Sequence, residues 1–380
     1  MKITMIGTLP PIKALSPYCY HLADALSKKI DLEFISFKNI LPNILYCGGQ
    51  KEDKDYSFNF RTSNCMTWYN PFSWIKAGIK AKGDIIHFQH WQLYANLMYC
   101  FILPIVKIRG KKIIMTVHNV TPHTTDKPSV FLDKKLNRFM FPFANHFILH
   151  NKRNIDKFLK LHKIDENKIS IVTHGTMMPY QKIKNISKED ARRHLNILSE
   201  EKVILFFGYM WSYKGLEVLL KSLKIVKENM NNVVLLLAGQ PLRNWKKYEK
   251  IIKEQGLEDF VIKELKYIPD SDTEYYFSSA DLVALPYYEH PFDTHGGVGA
   301  LALSFKKPML VTDVGGLPEY VKDKRVVSNP NNVEELSQKI ISVLNDEILL
   351  KKLSKDSEEL SKELSWNKIA EKTIKAYKKV

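Results

Sequence analysis

Residues Val203–Leu223 read VILFFGYMWSYKGLEVLLKSL. The stretch opens with an unbroken apolar run, turns at Gly208, and continues from Leu216 with apolar residues at helical spacing. A run that is apolar on both faces predicts a strand buried between two layers, as in a parallel sheet. The short turn carries Lys214 to the entrance of the following helix, GLEVLLKSLKIVKEN. The same alternation extends outward in both directions. Downstream lie the strand-like VVLLLAG, DFVIKELKYI, DLVALPY, PMLVTDV and RVVS; upstream lie KITMIG, DLEFISF, DIIHFQH, KIIMTVHN, HFILHN and KISIVTHG. Helix-like stretches such as SPYCYHLADALSKK separate several of them, here with Ser16 read as the cap. Strands alternating with helices mean an α/β protein with doubly wound parallel sheets.

At 380 residues the chain exceeds one ordinary core. The strand series restarts at VILFFG after the charged joint MMPYQKIKNISKEDARRHLNILSEEK, which places a boundary near Pro179–Glu201 and two domains, 1–180 and 181–365. Three helical stretches follow, NNVEELSQKIISVLND, EILLKKLSKDSEELSKEL and SWNKIAEKTIKAYKKV. Cys19, Cys47, Cys65 and Cys100 are too irregularly spaced for a zinc site or a disulfide framework. The amino-terminal MKITMIGTLPP is too short an apolar run for a signal peptide, and a cytoplasmic protein is expected. The most apolar segment, Leu93–Ile108, contains Pro104, is too short to span a bilayer, and reads as a buried helix.

Charge is uneven. Residues 1–180 hold 25 Lys and Arg against 12 Asp and Glu, a net +13, whereas the remaining 200 hold 32 against 29, a net +3. A basic half points to an anionic partner, such as a membrane surface. With no recognised nucleic-acid module and no interleaved basic and aromatic repeat, nucleic acid is not the expected partner.

Polar residues close several strands: Gln89 and His90, His118 and Asn119, His174 and Gly175. Open α/β sheets bind ligands at these carboxyl ends. The stretch His290–Tyr320, HPFDTHGGVGALALSFKKPMLVTDVGGLPEY, adds two Gly-Gly pairs, each ahead of helix-like sequence. Glycine permits close approach of backbone to a ligand, and unpaired N–H groups at a helix start favour an anion such as a phosphate. No His, Asp or Glu group has metal-site spacing, and neither a Gly-x-Ser-x-Gly elbow nor a Walker loop occurs.

These stretches resemble the retaining GT-B glycosyltransferases of family 4 over nearly the whole chain. The resemblance is strongest in VILFFGYMWSYKGLEVLLKSL and in DLVALPYYEHPFDTHGGVGALALSFKKPMLVTDVGGLPEYV. It implies two Rossmann-like domains facing a cleft, an amino-terminal acceptor domain, a carboxyl-terminal donor domain, and a terminal helix (about 366–380) packed back on the first domain. It further implies that Lys214 holds the donor diphosphate, that His295, Gly296 and Gly297 form the loop around the same phosphates, and that His118 and Asp293 lie near the transferred sugar. Tyr267 and Ile268 would meet the base, and Glu319 would close the GGLPE motif beside the site. The chain departs from the family pattern in three places. Leu301 stands where a second glutamate would hold the ribose, Tyr209 or Trp211 where a second cation would stand, and Ala14 where glycine is usual.

The implied activity is hexosyl transfer, with retention, from a nucleotide-diphosphate sugar to a hydroxyl of a glycan or lipid-linked acceptor in glycan, glycolipid or surface-polysaccharide synthesis. No metal and no cofactor beyond the sugar donor are expected, and the enzyme would work at the inner face of a membrane, with Trp74–Lys82 as one candidate membrane-facing segment, the alternative for it being a solvated helix face. The alternative, which Leu301 and Tyr209 favour, is a non-catalytic glycosyltransferase-like partner or glycan-binding subunit.

Overall fold

The computed structural model describes residues 1–12, 15–40, 57–91, 93–121, 127–177, 184–242, 245–289 and 297–380. They fall into two units. One comprises Met1–Gly175 with Leu364–Val380, and the other the described residues from Thr176 to Glu363.

The first unit contains β1 (Lys2–Gly7), α1 (Ser16–Ser27), β2 (Asp31–Asn39), β3 (Arg61–Thr67), α2 (Pro71–Lys80), β4 (Ile85–His90), α3 (Leu93–Ile108), β5 (Lys112–Val117), α4 (Lys127–Met140), β6 (His146–Leu149), α5 (Arg153–His162) and β7 (Ile169–Ile171). Its seven strands are parallel, in the order β3-β2-β1-β4-β5-β6-β7. All six residues of β4 are buried, as expected of a strand covered on both faces. The chain winds outward from β1 in both directions, and right-handed crossovers put α1 on one face and α2 to α5 on the other. The second of these layers closes over a core that includes Trp74, Phe88, Tyr99, Ile102, Phe147 and Phe158.

The second unit contains α6 (Lys188–His194), β8 (Lys202–Phe207), α7 (Leu216–Asn229), β9 (Val233–Ala238), α8 (Trp245–Glu254), β10 (Val261–Glu264), α9 (Thr273–Ser279), β11 (Leu282–Leu285), α10 (Gly297–Ser304), β12 (Met309–Thr312), β13 (Val327–Ser328), α11 (Val333–Asn345) and α12 (Glu347–Glu363). Its sheet is parallel throughout, in the order β10-β9-β8-β11-β12-β13. The final helix, α13 (Trp366–Tyr377), belongs to the first unit and packs on α1.

Four local features differ from the sequence reading. β3, RTSNCMT, has no apolar alternation, because it is an edge strand paired only with β2. Ser16 is the first helical residue rather than the cap: Leu15 takes the N-cap place and Pro17 presets the first turn. The second Gly-Gly pair, Gly315–Gly316, leads into a short 3-10 turn, Leu317–Tyr320, with Gly315 at φ 53°. Finally, α3 is not a buried helix. Tyr94, Leu97, Phe101 and Ile108 on its outer side are exposed to solvent.

Candidate functional site

In the second unit the chain leaves β8 at Gly208, whose φ of 88° favours glycine. It then passes Tyr209 and Trp211 into a 3-10 turn, Ser212–Lys214, and reaches α7 through Gly215 at φ 74°. A Cβ on Gly215 would lie 1.8 Å from the carbonyl oxygen of Pro286, so the turn is held against the exit of β11 by a contact only glycine allows. This geometry folds Lys214 inward, leaving it 7% exposed. Its Nζ donates to the Phe207 carbonyl at 3.3 Å and lies 6.0 Å from the centre of the Tyr287 ring. Among the described residues no carboxylate pairs with it. Burial alone pushes its pKa down to about 8. A Cβ at Gly208 would stand 3.1 Å from Lys214 Nζ and 3.7 Å from Val298 Cγ2, so the ammonium sits beside the start of α10. An uncompensated buried ammonium next to a helix N-terminus is a site that favours an anion.

The first unit builds a different constellation. Along β4 the side chains alternate, so His87 and Gln89 share one face while His90 turns to the other, where it meets Asn137 at 2.8 Å and Asn96 at 3.0 Å. The ends of β5 and β6 bring in His118 and His150, and the segment after β7 brings in His174. His118 Nε2 lies 2.8 Å from Gln89 Oε1, and its Nδ1 lies 3.0 Å from His150 Nε2. His150 Nδ1 lies 2.9 Å from the Val172 carbonyl. Gln89 Nε2 lies 3.2 Å from His87 Nε2, and His87 Nδ1 lies 2.7 Å from the hydroxyl of Tyr377 on α13. Tyr18 stands edge-on to both His118 and His150, with ring centres 4.6 and 5.2 Å away.

Protons on this chain of rings are constrained. The Val172 carbonyl only accepts, so His150 Nδ1 carries a hydrogen. A neutral His150 then accepts at Nε2, His118 donates from Nδ1, and His118 Nε2 presents a lone pair. That lone pair requires the amide nitrogen of Gln89; its oxygen at the same place requires one extra proton on the His118–His150 pair. The two consistent states therefore differ by one proton and one turn of the Gln89 amide. Burial favours the neutral state. It lowers His118 well below the ordinary histidine range, His87 and His150 to about 3, and His174 to about 4. No group of three or more His, Cys, Asp or Glu among the described residues is arranged to hold a metal.

Residues 187–360 match the family described as glycosyl transferases group 1. The match spans most of the second unit, hereafter the group 1 domain. The chain is 24% identical over 309 residues to an uncharacterized glycosyltransferase of Methanocaldococcus jannaschii, covering 78% of this chain and 75% of that protein. It is 22% identical over 301 residues to a D-inositol 3-phosphate glycosyltransferase of Corynebacterium glutamicum, covering 76% and 70%. Among solved structures, Anabaena HepE in complex with UDP superposes with a TM-score of 0.74 at 15% identity, covering 100% of both chains. A sucrose-phosphate synthase from Thermosynechococcus elongatus gives 0.69 at 18% identity, covering 99% and 98%. These structures establish the fold, GT-B, with two Rossmann-like domains.

Within the group 1 domain the sequence-predicted residues separate. Lys214, Gly297 at the head of α10, and Tyr267 gather near the exit of β8; Tyr267 is exposed and its ring centre lies 6.4 Å from that of Tyr209. Ile268 is buried, which leaves its backbone rather than its side chain to meet a ligand. Glu319 is exposed in the 3-10 turn, while its neighbour Tyr320 packs against Gly299 of α10, where a Cβ would meet the ring at 2.7 Å. Asp293, His295 and Gly296, like Ala14, lie outside the described residues. In the first unit, His118 has both ring nitrogens engaged within that unit. Sequence reading did not single out His150, although its position at the end of HFILHN, like that of His118 after β5, was the available signal. Gly208 was equally readable as the residue that ends β8.

Proposed function

We propose that the chain transfers a hexosyl group, with retention, from a nucleotide-diphosphate sugar to a hydroxyl of a glycan or lipid-linked acceptor at the inner face of a membrane. The group 1 domain holds the donor and the basic first unit receives the acceptor. One observation carries the reading: the buried Lys214 ammonium, with no carboxylate among the described residues to neutralise it, beside the start of α10. A fixed ammonium in a dry setting favours the diphosphate charge that grows as the sugar leaves. Backbone N–H groups at Gly297 assist from the helix start. With these groups doing the electrostatic work, the reaction needs no bound metal, and a chelator should leave turnover unchanged. That HepE structures hold UDP, or UDP and glucose, supports a nucleotide-sugar donor. Leu301 and Tyr209 favour the second reading, a subunit that binds without turnover.

A thermal-shift screen against UDP- and GDP-linked sugars tests the proposal. A stabilising donor that is also consumed with a hydroxyl acceptor supports it. Stabilisation without consumption, for every donor and acceptor tried, selects the non-catalytic reading, and no stabilisation by any donor overturns both.

A further inference from the structure

The exposure of α3 is the starting point. Its outer stripe, Tyr94, Leu97, Phe101 and Ile108, repeats at helical spacing, is built of aromatic and aliphatic side chains and faces solvent. The helices on either side continue it. α2 packs on α3 closely enough for Gly78 to nestle against Ile105, and Arg109 ties the two helices by donating to the carbonyls of Gly78 and Ala81 at 2.7 and 2.9 Å. The outer side of α2 presents Phe72, 80% exposed, with Ile75 and Ile79. α4 packs on the other flank of α3 and presents Val130, Phe131, Leu132 and Phe139. The inward side of α2 is a separate matter: Trp74, the first residue of the segment expected to face a membrane, is buried against Phe101.

Charge on this surface is one-sided. α2, α3 and α4 together carry seven Lys and Arg against one acid, Asp133, which is buried and bonded to Asn96 and Asn137. Lys135 lies over the Phe131 ring at 4.5 Å, an ammonium lodged on an exposed aromatic. Alongside, a cleft between α4 and the end of α5 is lined by Lys134, Arg138, Lys163 and Lys168, against one acid, Asp165. An apolar surface of this extent is unusual for a face left to water. Aromatic and aliphatic side chains set among cations, on three helices whose one acid is buried, match the boundary between acyl chains and anionic headgroups. No helix among the described residues is long and apolar enough to cross a membrane, so such a contact would lie along the surface.

We propose that the outer face of α2, α3 and α4 is a docking surface for an anionic lipid bilayer, with the exposed aromatic and aliphatic side chains entering the interface and the lysines and arginines meeting lipid phosphates. The inference deepens the proposed function and draws its biological sense from the lipid-linked acceptor in that reading. Its physics stands apart from turnover.

The test is flotation of the full chain with phosphatidylcholine vesicles, with or without phosphatidylglycerol as roughly a third of the lipid, across a salt series. Binding to the anionic vesicles alone is expected, weakening as salt rises. Lys76→Glu/Lys135→Glu/Arg138→Glu should lower binding at least about tenfold. Phe72→Ser/Phe101→Ser/Ile108→Ser should remove the fraction that survives high salt. All six side chains are solvent-exposed, and an unchanged thermal midpoint confirms that each variant folds. Three results overturn the proposal: equal recovery with neutral and anionic vesicles at low salt, wild-type flotation of either triple variant, or a concentration-dependent dimer that the apolar variant abolishes, which would assign the face to a second copy. Donor binding is measured on the same proteins by thermal shift. Flotation without donor binding defeats the proposed function and leaves the docking face standing; donor binding without flotation does the reverse.

Discussion

At the carboxyl ends of β4, β5 and β6 the first unit collects imidazoles; beside β8 and β11 the second collects glycines around one ammonium. Both places are buried, yet burial acts on them in opposite senses. The histidines are donors and acceptors at once, so with the Gln89 amide nitrogen turned to His118 they are satisfied as neutral rings by one another, Gln89, Val172 and Tyr377. Lys214 only donates; among the described residues it has one carbonyl partner and no carboxylate to balance its charge. A self-satisfied network is suited to holding shape, whereas an unbalanced charge is suited to holding a ligand. The contrast is why the proposed function looks to the second unit for the donor phosphates and asks of the chain of rings in the first only that it hold shape.

Acid should separate the two units most strongly. His87 and His150, lowered to about 3, and His174, lowered to about 4, bind protons in the unfolded chain near the ordinary value of 6.5. Between about 6.5 and 4 the unfolded state therefore holds more protons, and stability of the first unit falls as pH falls, by about 1.4 kcal/mol per pH unit for each such ring. Lys214 and Lys307, both lowered to about 8, act in another window: stability of the second unit rises as pH climbs from about 8 toward 10.5. Hydrogen exchange read by mass spectrometry, corrected for intrinsic rates, should show protection lost first from β4, β5 and β6 at pH 5. Equal loss in both units would break the comparison.

Lys214→Ala comes next in size. Loss of a charge-assisted contact to the diphosphate should lower kcat/KM about a hundredfold, roughly 2.7 kcal/mol, with circular dichroism unchanged. Near-normal turnover in the folded variant would remove Lys214 from the mechanism. In the wild type, kcat/KM should decline as pH rises through about 8, where the ammonium loses its proton.

His150→Phe should cost about 1–3 kcal/mol of stability, because His118 Nδ1 loses its acceptor in a buried place. His150→Gln, which restores an acceptor, should recover most of the midpoint lost in thermal denaturation. If the phenylalanine and glutamine variants melt together, the ring chain does not hold His118.

The smallest effect concerns Leu301 on α10, which offers a ribose no hydrogen bond from its side chain. A 2′-deoxy donor should react within about threefold of the normal one, roughly 0.65 kcal/mol, in initial rates well below saturation. Discrimination of about a hundredfold would show that another residue holds the ribose.

The fold was legible because its signal is local. Strands such as VILFFG and VVLLLAG are apolar on both faces and break at glycine, which periodicity detects in one window. β3 escaped because an edge strand needs no apolar alternation. The exposure of α3 escaped because apolar content reports a preference for burial, whereas exposure depends on whether another layer follows. In the candidate site, Lys214 was readable from its place between a strand and a helix. The ring chain was not, since Gln89, His118, His150 and Tyr377 come from four elements that only the strand order brings together.

The placement of α13 also sets an order of assembly during translation. Trp366 lies against Gly175, where a Cβ would meet its ring at 2.7 Å, and Tyr377 closes the ring chain at His87. The ribosome reaches these residues only after making the whole second unit, so the group 1 domain can finish folding first. The earlier-made unit meanwhile waits with Tyr18, His174 and the ground for α13 uncovered. Chains stalled before Ser365 would present that bare apolar and imidazole surface to chaperones and proteases, which gives the cell a way to distinguish an unfinished enzyme from a finished one.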